Sequence, residues 1–167
     1  MCLEYRKISD FSRGTLYQLL EDAYSFDERC AECWNSDWKG FDNFFYDNLE
    51  IADKYGFITT IDGEPIGHIS WDPRNMPEYV EIGHNCIATK YKGNGYGKRQ
   101  LSEALNRICK YNGLKKIVVT TNGFMIPAQK NYESVGFKLR QKRENTGMAN
   151  FSGVYIDYEI ITNGFGI

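Results

Sequence analysis

The sequence predicts an α/β (α+β) fold, a single domain over residues 1–167 with a mixed central sheet of about seven strands and helices on both faces. Three observations carry this. Segments with a two-residue apolar period alternate with segments of helical period in the order β-α-α-β-β-β-α-β-α-β-β. The 167 residues, 42% hydrophobic and 25% charged, suffice for one compact core. A glycine run, Gly93, Gly95 and Gly97, falls between a strand and a helix start, where backbone must approach something closely.

Leu3–Ile8 alternates and reads as the first strand. Asp10 or Ser12 caps a helix carrying Leu16, Leu19, Leu20 and Ala23 at helical spacing. Residues 27–37 are polar and acidic and read as a connection that contains Trp34. A second helix runs over 38–55 with Phe41, Phe45, Leu49 and Ala52 on one face, and Gly56 ends it. Phe57–Ile61 and Pro65–Trp71 form a hairpin around Asp62-Gly63, a strong turn signal, and a two-proline loop covers 72–77. Tyr79–Ala88 is the next strand, and the glycine turn leads into a helix over 99–111. Lys116–Thr120 is a β-branched strand, and Pro127 opens a helix to Ser134. Phe137–Arg143 and Val154–Ile161 close the sheet, with a loop over 145–153 between them and a frayed tail from 162. No repeat, linker or domain boundary is visible.

Composition excludes several classes. No apolar run approaches the ~20 residues of a membrane span, and the N-terminus lacks a basic region followed by an apolar one. Five cysteines, an odd number, fit a reducing cytoplasm. Cys30 and Cys33 form a lone C-x-x-C with no second pair to complete a zinc site, so no metal is expected. The net charge of −2 hides an asymmetry. Residues 21–53 carry ten acids, from Glu21 to Asp53, against Arg29 and Lys39, whereas residues 86–143 carry thirteen Lys or Arg against Glu103 and Glu133. The basic half suits an anionic ligand. Its lysines are spread over strands, turn and helices, so no single element fits a nucleic-acid groove.

The run Lys92-Gly93-Asn94-Gly95-Tyr96-Gly97-Lys98 is a phosphate-binding device: missing β-carbons admit the anion, and the first amides of a helix point at it. A Walker A loop would need Gly at 92 and Ser or Thr at 99, where Lys92 and Arg99 stand; a dinucleotide fingerprint would need Gly at 98, where Lys98 stands. The spacing fits [QR]-x-x-G-x-[GA], with lysine for the first residue, and here the chain resembles the GCN5-related N-acetyltransferase (GNAT) family over roughly residues 3–161. A second motif supports the resemblance: Asn122, Ala128, Tyr132, Gly136 and Phe137 match the family's N-x(5–8)-A-x-x-x-Y-x-x-x-G-F.

The resemblance implies an acyl-CoA N-acyltransferase-like fold and acetyl-CoA as cosubstrate. It implies that the amides of Gly93, Asn94, Gly95, Tyr96, Gly97 and Lys98, with the charge of Lys92, hold the pyrophosphate. Asn122 and Asn131 would contact the pantetheine arm, and Tyr132 would stand as general acid near the thioester sulfur. The fourth and fifth strands of the family splay apart, which implies that main-chain groups of Asn85, Cys86 and Ile87 pair with the pantetheine and polarise the carbonyl. Lys130 could meet the coenzyme's 3′-phosphate. Family members often dimerise through late strands.

Acetyl transfer to an amine needs the ammonium, with a reference pKa of about 10.4, to lose its proton. Glu81 lies eleven residues before Lys92, the offset of the catalytic glutamate in the histone-acetylating branch, and is the first candidate for general base. Glu78 and His84 compete with it. By strand parity Glu81, Gly83 and Asn85 share one face, opposite His84. A phenol near pKa 10 facing a thiol near 8.5 gives its proton uphill by roughly 2 kcal/mol, so Tyr132 would stabilise the sulfur as much as protonate it. In this fold the acceptor pocket is walled by the first two helices, their connection and the loop between the last strands. That implies a wall of Phe26, Glu28, Trp34 and Trp38, acids beside aromatics, suited to a cationic primary amine on a small molecule or a peptide. The alternative is a coenzyme A-binding sensor that kept the fold without catalysis.

Overall fold

The structure, a computed structural model, describes residues 1–144 and 153–162. The loop expected over 145–153 and the tail expected from 162 therefore lie, apart from Gly153 and Thr162, outside the described residues. The elements run β1 (Leu3–Arg6), α1 (Thr15–Ala23), α2 (Glu28–Asp47), α3 (Leu49–Tyr55), β2 (Gly56–Ile61), β3 (Glu64–Asp72), β4 (Val80–Ile87), α4 (Tyr96–Ile108), β5 (Lys116–Asn122), α5 (Ile126–Ser134), β6 (Lys138–Glu144) and β7 (Val154–Ile161). The strands form one seven-stranded sheet in the order β1-β2-β3-β4-β5-β7-β6. β4 and β5 are parallel, whereas the β1–β2, β2–β3, β5–β7 and β6–β7 pairs are antiparallel, so the sheet is mixed as expected. Contacts gather in two compact units: Met1–Ser70 with His84–Gln100, and Trp71–Gly83 with the described residues from Leu101 onward.

In the first unit the hairpin turn falls on Asp62 and Gly63, both at positive φ (49° and 84°), the backbone that Asp-Gly supplies most cheaply. Two expectations need correction. α1 begins at Thr15, not after Asp10 or Ser12, because its cap is borrowed: the buried Asp42 carboxylate accepts from the amides of Gly14 (2.9 Å) and Tyr17 (3.1 Å). The acidic stretch 27–37 is not a connection but the first half of α2. Asp27 caps that helix by accepting from the Arg29 amide at 3.0 Å. Cys30, Trp38 and Phe45 continue one buried stripe along it, which the acids on its outer side obscure in the sequence. Asn48 then separates α2 from α3, so the expected second helix is two. Ile8, Leu16, Phe45, Ala52 and Ile58 make the core beneath them.

In the second unit β5 pairs over its full length with Tyr155–Ile161 of β7, and Ile117, Val119, Ile156 and Tyr158 are buried. α5 opens on Pro127 in its first turn, and Gly136, at φ 106°, redirects the chain into buried Phe137.

Candidate active site

The glycine turn has the backbone that the sequence requires. Gly93 and Gly95 lie at φ 77° and 79°, and a β-carbon at either would meet nothing within 4 Å. The turn is thus shaped by conformation and not by crowding. α4 starts at Tyr96, three residues earlier than expected, and its first internal bond is Arg99 N–H to the Gly95 carbonyl at 3.2 Å. The amides of Tyr96, Gly97 and Lys98 precede that bond and face the helix's open, positive end. This open turn at the start of a 13-residue helix fits a pyrophosphate. Lys92 departs from expectation: its ammonium donates to the Ala23 carbonyl at the end of α1 and lies 5.1 Å from the Phe26 ring centroid. The Asp22 carboxylate accepts from the Thr89 amide at 2.6 Å, so the end of α1 is fastened to the start of the turn.

Sequence reasoning missed Gln100. It is fully buried in the first turns of α4, where its Nε2 donates to the carbonyls of His68 (2.9 Å) and Cys86 (3.1 Å) and to Asn85 Oδ1 (2.8 Å), and its Oε1 accepts from Thr59 Oγ1 (2.7 Å). One amide therefore ties the helix behind the glycine turn to the segment 85–87 from which main-chain donors were expected. Gly67 makes the room: a β-carbon there would stand 2.5 Å from the Cys86 carbonyl oxygen. The available signal was position, since residues 100, 104 and 108 form α4's buried stripe and only the first is polar. Burial pushes the Cys86 thiol up to about 12, leaving it a packed thiol rather than a nucleophile.

Glu81 lies half-buried on β4, paired with Val118 of β5. It lines a concavity of about 380 Å³ with Tyr79, Thr120, Arg140, Arg143 and Asp157. Its carboxyl is raised above the ordinary carboxylate range, first by burial, then by the neighbouring charges of Asp72 and Asp157, against the opposing pull of Arg140 and Arg143. The two rivals are less suited. Glu78 is exposed and paired with Lys115 at 2.6 Å. His84 packs 4.2 Å from the Phe41 ring, and burial lowers it to about 4, which keeps it neutral and weakly basic.

Tyr132, on α5, is 5% exposed, with its ring edge-on to Phe137 (5.6 Å) and 6.0 Å from Tyr158. Asn122 ends β5 and Asn131 lies on α5, both half-buried, while Lys130 is exposed. Gln129 Nε2 donates to the carbonyls of Asn122 (3.3 Å) and Gly123 (3.0 Å), which fixes the β5–α5 corner that carries these residues.

The model of the Acetyltransferase (GNAT) family matches residues 14–137. The chain belongs to this family. Comparison with curated protein sequences gives no match. Solved structures similar in fold include the PaiA N-acetyltransferase of Thermoplasma acidophilum in complex with coenzyme A, at 18% identity and TM-score 0.76, covering 96% of this chain and 99% of that one. YncA of Salmonella typhimurium, with its cofactor acetyl-CoA, aligns at 12% identity and TM-score 0.76 over 96% and 93% of the two chains. The ribosomal-protein-S18-alanine N-acetyltransferase of Escherichia coli aligns at 15% identity and TM-score 0.70 over 96% and 93%.

For this GNAT chain the expected acceptor wall comes out differently from its reading in the sequence. Trp38 is 3% exposed, stacked 5.5 Å from Tyr24, and belongs to the core rather than to a wall. Trp34 is half-buried against the same tyrosine at 5.8 Å, Phe26 is exposed with the Lys92 ammonium 5.1 Å from its ring centroid, and Glu28 is exposed in the first turn of α2. Several acids of 21–53 serve the fold instead: Asp42 as a borrowed cap, Asp47 on Arg13 at 2.5 Å, and Asp53 on the Ser9 amide at 2.9 Å. The five cysteines, Cys30 and Cys33 included, are free thiols. Among the described residues no group of three His, Cys, Asp or Glu is placed to hold a metal, and no helix is long and apolar enough to cross a membrane.

Proposed function

We propose that this chain is an N-acetyltransferase that moves the acetyl group of acetyl-CoA to a primary amine, with Glu81 as general base and Tyr132 as general acid. The observation that supports the reading is Glu81: a half-buried carboxylate, raised in pKa, lining a concavity, whereas Glu78 is exposed in an ion pair and His84 is lowered by burial. The thioester supplies an activated acetyl carbon. Glu81 takes the ammonium proton, directly or through one water, which frees the lone pair that forms the new C–N bond. As the C–S bond breaks, the attacking nitrogen releases its second proton to solvent and the Tyr132 hydroxyl donates toward the departing sulfur, so coenzyme A leaves as the thiol and Tyr132 regains a proton from solvent. The amides at the head of α4 and the turn before it hold the pyrophosphate, and the main chain of 85–87, fixed by Gln100, supplies donors to the carbonyl oxygen.

Glu81→Gln keeps size and polarity and removes the base. It should lower kcat about 100-fold or more while acetyl-CoA binding, followed by calorimetry, stays near wild type. The acid limb of kcat/KM against pH should lie above the usual carboxylate range and vanish in Glu81→Gln. If the Glu81→Gln, Tyr132→Phe double variant acetylates as fast as wild type, the assignment of both residues is wrong. Tight coenzyme A binding without turnover of any amine would favour the sensor.

A further inference from the structure

We infer that the concavity beside Glu81 takes an acceptor carrying a carboxylate as well as its amine, an amino-acid-like zwitterion and not a polycation. This rests on the reading of Glu81 as the base and adds the acceptor's chemistry to it. The walls hold two carboxylates, Glu81 and Asp157, against three cations, Arg140, Arg143 and Lys116. The two carboxylates are not equivalent. Asp157's side chain is 4% exposed, and it accepts from Thr120 Oγ1 (2.6 Å), Gln141 Nε2 (2.8 Å), Arg143 Nε (2.6 Å) and Arg143 Nη2 (2.9 Å). That carboxylate is saturated and cannot take a ligand ammonium, which leaves Glu81 as the one anionic side chain of the concavity able to do so.

The cations divide in the same way. Arg143 commits its Nε–Nη2 edge to Asp157 and lies over Tyr155 at 5.1 Å, and Lys116 pairs with Glu159 at 3.6 Å. Arg140 is 41% exposed and meets Asp157 only at 3.7 Å, inside ion-pair range but beyond hydrogen-bond length. Its planar donors can turn to a ligand, and a carboxylate is what that fork fits in two parallel bonds. Glu81 and Arg140 thus offer one anion for an amine and one fork for an acid. A polyamine would instead bring further positive charge against Arg140, Arg143 and Lys116 with no second uncommitted carboxylate in the lining to receive it.

The test uses the full chain saturated with coenzyme A and a matched set: an α-amino acid, its primary amide, the corresponding simple amine and an aminophosphonate of the same length. Calorimetry should show the amino acid binding roughly 10- to 100-fold tighter than the amide or amine, as expected of a charge-assisted bidentate pair. Arg140→Met, checked for an unchanged melt and unchanged acetyl-CoA affinity, should abolish that preference. Arg140→Lys, which keeps charge without the fork, should retain part of it. Equal binding of the simple amine, tighter binding of the phosphonate, or a preference that survives Arg140→Met overturns the inference. Acetylation without carboxylate preference would overturn it while leaving the N-acetyltransferase reading intact. Selective binding of the amino acid without any transfer would uphold the carboxylate site and sink that reading.

Discussion

The glycine turn and the Glu81 concavity use different parts of the chain for their chemistry. At the turn the working atoms are main chain. Asn94 folds its amide back onto the carbonyls of Tyr91 (3.3 Å) and Lys92 (3.1 Å), and Lys92 reaches for Ala23, so the side chains leave the peptide groups uncovered. At the concavity the working atoms are side chains delivered by β4, β5, β6 and β7, and their properties come from burial and from neighbouring side chains: Asp157 is saturated by Arg143, Thr120 and Gln141, and Glu81 is raised first by burial, then by the charges of Asp72 and Asp157. A backbone device is sensitive to conformation and tolerant of side-chain change. A side-chain device should behave the opposite way.

The largest effect expected from this contrast is at Gly67. Its φ is ordinary, but a β-carbon would press on the Cys86 carbonyl at 2.5 Å, Ile87 Cδ1 at 2.7 Å and Gln100 Oε1 at 2.8 Å. Two of these belong to the polar junction behind the turn and have little freedom to give. Gly67→Ala should cost roughly 3 kcal/mol by chemical denaturation and weaken coenzyme A binding. A variant as stable as wild type would show that the Gln100 junction is not rigid.

Acid stability separates the two regions. His68 is fully buried, neither ring nitrogen has a hydrogen-bond partner among the described residues, and burial together with nearby His84 lowers it to about 3. Its unfolded pKa is near 6.5, so the unfolded chain binds the proton first. Stability is then complete above pH 6.5 and is lost as pH falls toward 3, by about 2 kcal/mol at pH 5. Asp157 has its carboxyl held far below the usual range, first by Arg143. Its contribution is present above the unfolded carboxylate pKa of about 3.9 and is lost only below it. His68→Phe should remove roughly half of the fall between pH 6.5 and 5, the rest belonging to His84, which burial lowers to about 4, and Asp157→Asn should reduce the further loss below the unfolded carboxylate pKa while leaving the upper window. Urea titrations at pH 7, 5 and 3.5 measure both, and a His68→Phe profile that still falls between pH 6.5 and 5 by the wild-type amount refutes the assignment.

The same contrast explains what was legible in the sequence. The turn depends on residues adjacent in the chain, so spacing alone excluded triphosphate and dinucleotide loops and placed it before α4. The concavity depends on sheet register: Thr120 stands opposite Asp157, and Asp157 opposite Gln141, and nothing local in those strands announces it. Arg140, Arg143 and Asp157 were therefore invisible as a group, while Glu81 was visible only through its offset from the turn. The acidic half over 21–53 is illegible for a related reason. Its charges read together as suited to a cationic ligand, whereas Asp42 and Asp53 among them accept from backbone amides far away in sequence. Gln100 was hidden as one polar residue in an otherwise apolar helical stripe.

The smallest effect is the most direct test of the backbone reading. Gly95 sits at φ 79° with open space around its absent β-carbon, so Gly95→Ala adds no clash and imposes only the left-handed conformation on a residue that disfavours it. The cost should be about 1 kcal/mol of stability. If the chain relieves the strain by relaxing φ, the amides that follow lose their aim, and coenzyme A affinity should fall several-fold. Lys98→Met is the control: the residue is exposed, its amide is unchanged, and removal of one solvated charge should cost well under about 1 kcal/mol of binding. If Lys98→Met weakens coenzyme A more than Gly95→Ala does, the turn works through side-chain charge, and the distinction between the two regions fails where it was clearest.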